Sequence, residues 1–69
     1  MEKNMIAQRI RAFRKLKGYT QTELAERLDV SIAVLGSIER GTRKPEPKII
    51  RKISEVLGID PEELSSAAR

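Results

Sequence analysis

Residues 20 to 41 read TQTELAERLDVSIAVLGSIERG, two short helical patterns separated by a turn with room for little more than a corner. Thr20 is placed to cap the first pattern, and Glu23 three residues later completes a capping box. Ser31 caps the second. With the first helix ending near Leu28, only Asp29 and Val30 intervene. Leu24, Ala25 and Leu28 share one face of the first helix, Leu35 and Ile38 share one face of the second, and Val30 fills the angle between them. The stretch predicts two helices packed at a corner, the second over residues 32–39 with its outer face free to meet a partner.

Working outward, Gly and Pro mark the ends of three further helices. The first is expected from about Asn4 to Lys17, with Ile6, Ile10 and Phe13 at helical spacing and Gly18 as its stop. The fourth starts near Pro47, carries Ile49, Ile50, Ile53, Val56 and Leu57, and ends at Gly58. Asp60, Pro61 and Glu63 open a fifth, anchored by Leu64, and Ser65 to Arg69 are expected to fray. No strand pattern, repeat or low-complexity segment interrupts this order. The predicted fold is all-α, a compact five-helix bundle forming a single domain over residues 1–69.

Size and composition narrow the function. A chain of 69 residues buries only about 60% of the surface it exposes when unfolded, so a deep cavity is not expected. It has no cysteine, which removes disulfides and thiolate metal sites and suits a reducing, cytoplasmic setting. The longest uncharged run, Val30 to Ile38, is far short of the roughly 20 apolar residues that cross a bilayer, and no leader pattern opens the chain. The net charge of +4 is unevenly spread. Residues 1–19 carry Lys3, Arg9, Arg11, Arg14, Lys15 and Lys17 against Glu2 alone, and residues 42–57 carry Arg43, Lys44, Lys48, Arg51 and Lys52 against Glu46 and Glu55. The acids gather in the central pair and the tail. A polyanion is the expected partner.

The order IRAFR, GYTQTELAERLDVS, IERGTRKPEP and ISEVLGID resembles the DNA-binding domain of phage repressors and related bacterial regulators, the xenobiotic-response-element type of helix-turn-helix, over about residues 6 to 64. The resemblance implies a lambda-repressor-like fold with its helix-turn-helix at residues 20–40. It further implies double-stranded DNA as partner, helix two across the backbone, helix three in the major groove, and a homodimer reading two half-sites about one turn apart. Repression by occupancy is the expected mode.

Residue by residue, Gln21 matches a glutamine that bonds a phosphate beside the free N–H groups of the helix start, and Thr20 adjoins it. Arg14 and Glu39 match a structural salt bridge between helix one and the end of helix three, with a phosphate contact as a secondary role for Arg14. The outward positions of helix three depart from the pattern. Where base-reading polar side chains are usual, this chain has Ser31, Ile32, Ala33, Gly36 and Ser37. Ile32 and Ala33 suit thymine methyl groups and Ser37 any base, so direct discrimination is expected to be weak and partly apolar. Arg40, Arg43 and Lys44 at the exit suit phosphates or a narrow minor groove.

That departure leaves an alternative, a protein-binding adaptor that uses an apolar patch of Ile32, Ala33 and Val34. Leu16, Tyr19 and the fifth helix supply apolar groups for a homodimer face. Catalysis is not expected. The chain has no histidine or cysteine, its carboxylates are assigned to capping and surface, and no catalytic, metal, cofactor or small-molecule site is expected.

Overall fold

Most helix ends fall where local chemistry directs them. A computed structural model describes residues 5–65. They form α1 (Met5–Leu16), α2 (Gln21–Leu28), α3 (Ile32–Arg40), α4 (Pro47–Leu57) and α5 (Pro61–Ser65), with no strand among the described residues. Thr20 Oγ1 accepts from the Glu23 N–H at 3.1 Å while Glu23 Oε1 accepts from the Thr20 N–H at 2.9 Å, closing the capping box of α2. Ser31 Oγ accepts from the Val34 N–H at 3.1 Å and caps α3. Asp60 does the same for α5 through the Glu62 N–H at 3.0 Å. At α4 the N-cap Glu46 makes no side-chain cap bond, and Pro47 pre-sets the first helical residue.

The first four helices share one stop. Gly18, Asp29, Gly41 and Gly58 take positive φ, and the next N–H reaches back five residues: Tyr19 to Arg14, Val30 to Ala25, Thr42 to Ser37 and Ile59 to Ser54, each at 3.0 Å. This closure satisfies carbonyls that a helix end otherwise leaves open. At the corner between α2 and α3 the left-handed residue is Asp29, φ 60 and ψ 40, the sole non-glycine with positive φ among the described residues. An L-residue tolerates that region poorly, and a short Asx side chain tolerates it best.

The core takes one stripe from every helix: Ile10 from α1, Leu24, Ala25 and Leu28 from α2, Leu35 and Ile38 from α3, Ile53 and Leu57 from α4, and Leu64 from α5. Each large aliphatic side chain buried this way contributes about 1.5–3 kcal/mol before entropy is counted. Phe13, Tyr19, Val30 and Val34 pack around it half-buried. The start expected at Asn4 lies outside the described residues, as do residues 66–69 of the expected fray. The end expected at Lys17 moves back to Leu16 because the Gly18 closure takes over the last turn.

Candidate nucleic-acid interface

Three helix ends meet at one buried carboxylate. Arg14 near the end of α1 presents Nε to Glu39 Oε2 at 2.7 Å and Nη2 to Glu39 Oε1 at 3.1 Å, while Nη1 donates to the Tyr19 carbonyl at 2.9 Å. The two side chains are 9% and 2% exposed. Such burial is tolerable because the fork geometry matches the carboxylate and all three guanidinium nitrogens find acceptors. The ion pair is thus structural, as the sequence reading expects first. Gln21, first residue of α2, joins from the other side, its Nε2 donating to Glu39 Oε1 at 3.1 Å. A carboxylate only accepts, so Glu39 fixes which end of the Gln21 amide faces inward. Sequence reasoning missed this contact, since 18 residues separate the pair and no local period connects them.

The outer face of α3 differs from its sequence reading at Val34, and Arg40 covers one of its positions. Ser31, Ile32, Ala33 and Arg40 are exposed and Ser37 is half-buried, but Gly36 is buried. Gly36 faces outward, and its cover is the side chain of Arg40. A Cβ there would lie 3.2 Å from Arg40 Nη1, so the guanidinium lies folded back along the helix over the space that the missing side chain leaves. Arg40 Nη2 also donates to Ser37 Oγ at 3.4 Å. Arg40 and Ser37 thus form one polar group on an otherwise apolar face. Val34 packs against the core, which shrinks the expected apolar patch to Ile32 and Ala33.

Several hydroxyls are already committed. Those of Thr20 and Ser31 serve as caps. Beyond α3 the Ser37 carbonyl accepts from the Thr42 N–H at 3.0 Å, the Arg43 N–H at 3.3 Å and Thr42 Oγ1 at 3.2 Å. That cluster sets the direction in which the exposed Arg43 and Lys44 leave the helix. Tyr19, grouped by sequence with an exposed homodimer face, instead packs on the core with the Arg27 guanidinium 5.2 Å from its ring centre.

A tight corner, a buried ion pair behind it and an open second helix define a recognisable frame, and the helix-turn-helix family model matches residues 10–64. The chain belongs to the helix-turn-helix family of transcriptional regulators. It is 51% identical over 65 residues to the HTH-type transcriptional regulator YazB of Bacillus subtilis (strain 168), spanning 94% of each. It is 45% identical over 56 residues to the HTH-type transcriptional regulator SinR of the same organism, covering 80% of this chain and 50% of SinR. Against that relative it spans about half the length. Among solved structures it resembles SinR in complex with DNA at TM-score 0.83 and 42% identity, over 88% of this chain and 98% of that one. The restriction-modification controller protein C.AhdI of Aeromonas hydrophila superposes at TM-score 0.85 and 34% identity, over 90% and 94%. The all-α architecture of this family agrees with the five helices found here. No helix among the described residues is long and apolar enough to cross a membrane.

Proposed function

We propose that this chain binds double-stranded DNA sequence-specifically and regulates transcription, with α3 in the major groove. The observation that carries the reading is the Glu39 junction. It holds Gln21 and the start of α2 beside an α3 whose outer face is open. Gln21 keeps a second amide hydrogen for a phosphate, supported by the positive end of α2 and by neighbouring Thr20. Ile32 and Ala33 meet thymine methyl groups, Ser31 and Ser37 add hydroxyls, and Arg40, Arg43 and Lys44 hold the backbone or a narrow minor groove. The similar structure of SinR in complex with DNA agrees with that partner. The protein acts by occupancy in the cytoplasm and not by catalysis, blocking polymerase where it binds.

Site selection from random duplex tests this directly. The parent protein enriches one motif, and Ile32→Ala and Ser37→Ala each reduce preference for it over random duplex by up to about 1–3 kcal/mol with little change in non-specific affinity. Absence of any enriched motif would sink sequence-specific binding.

A further inference from the structure

The outer face of α3 is short of donors, yet one cation lies on it. Apart from the backbone of its own helix and the adjacent residues, a Cβ on Gly36 would have one neighbour within 4 Å, Arg40 Nη1 at 3.2 Å. Gly36 is nonetheless buried, while Ile32, Ala33 and Arg40 around it are exposed. A glycine one turn before an arginine thus leaves a seat, and the arginine fills it in the direction that helical side chains favour, back toward the N-terminus. Ser37 Oγ accepts from Nη2 at 3.4 Å at the edge of that seat.

Nothing else claims the guanidinium. The adjacent carboxylate, Glu39, is taken by Arg14 and Gln21, and Arg40 joins no ion pair among the described residues. Of the five N–H donors on a guanidinium, the protein engages one. The seat also moves the charge. With an ordinary side chain at position 36, an arginine on the last residue of α3 would project from the helix exit beside Arg43 and Lys44. Over Gly36 the charge lies about one turn, or roughly 5.4 Å, back toward Ile32 and Ala33.

We propose that Arg40, seated over Gly36, is the residue that specifies a guanine in the major groove. The proposal rests on the DNA-binding reading and gives Arg40 a part in it that Arg43 and Lys44 do not share. Among the base edges in that groove only guanine offers two acceptors, O6 and N7, and a planar guanidinium meets both with parallel N–H bonds. Ile32 and Ala33 offer methyl contacts, and the Ser31 hydroxyl is already a cap. Arg40 supplies the two-bond contact that the face otherwise lacks. Holding the fork on the helix before DNA arrives reduces the rotamer entropy that a long side chain loses on binding. Gly36 and Ser37 are positioning residues.

Site selection from random duplex with the full chain and its variants, followed by fluorescence anisotropy on the selected site, reads the contact. The parent protein enriches a motif holding a guanine that Arg40→Lys no longer enriches, because lysine keeps the charge but not the fork. Changing that guanine costs the parent protein about 5- to 150-fold in affinity and costs Arg40→Ala little. Replacing it by 7-deazaguanine, which pairs normally but lacks the N7 acceptor, weakens the parent protein severalfold and leaves Arg40→Ala indifferent. Gly36→Ala, which makes Nη1 give way, cuts the preference for that guanine about fivefold or more while the fold stays intact. A motif unchanged in Arg40→Lys would return Arg40 to the phosphates and overturn the proposal with DNA binding intact. A parent protein indifferent to 7-deazaguanine, or an undiminished preference in Gly36→Ala, does the same. A parent protein that enriches no motif overturns the proposal together with sequence-specific binding.

Discussion

Gly36 shows how one missing side chain shapes a binding face. Within a helix a glycine costs roughly 0.5–1 kcal/mol relative to alanine, and the helix gains from that cost a seat for the Arg40 guanidinium. An alanine Cβ would press only on Nη1, the far end of a flexible side chain, at 3.2 Å. Gly36→Ala is therefore expected to raise unfolding free energy by about 0.5–1 kcal/mol in a denaturant titration while displacing Arg40 from the α3 surface. A loss of stability would mean that Arg40 cannot yield. Asp29 is the opposite case, a side chain held where glycine is more comfortable, and its short carboxylate makes the left-handed corner tolerable.

Between elements, the Arg14–Glu39–Gln21 junction ties the end of α1, the start of α2 and the end of α3. Glu39→Ala strands a buried guanidinium, a change that costs about 3–5 kcal/mol. A domain of this size has only roughly 3–10 kcal/mol to lose. The variant is expected to melt far below the parent protein, or to be partly unfolded at room temperature. Gln21→Ala removes one half-buried hydrogen bond, worth about 1 kcal/mol, and should weaken duplex binding by more than that small loss of stability explains. Equal melting of Glu39→Ala and the parent protein would show that the junction bears no load, and undiminished binding by Gln21→Ala would remove its phosphate role.

For the molecule as a whole, the two basic segments seen in the sequence lie on exposed positions, Arg11, Lys15 and Lys17 in one and Arg43, Lys44, Lys48, Arg51 and Lys52 in the other. Few polar side chains on α3 are free to read bases, so phosphate contacts should dominate affinity. If about four to six phosphates are neutralised, log K against log salt should fall with a slope of roughly −4 to −5. Fluorescence anisotropy with random duplex at several salt concentrations measures it. A flat response would remove DNA as the partner.

The helices, their caps and their stops were written locally. Thr20 with Glu23, Ser31, Pro47, and the glycines at 18, 41 and 58 act within one turn of themselves, so the order of elements and most of the core follow from spacing alone. The family motif carried the Arg14–Glu39 pairing across 25 residues, where no period could. Tertiary packing decided the rest. It set Gln21 on Glu39, folded Arg40 over Gly36, turned Val34 and Tyr19 inward, and left Leu16 outside. These are contacts between helices or choices among rotamers, fixed by how the helices cross and by which side chain fills the remaining space, and local sequence encodes neither.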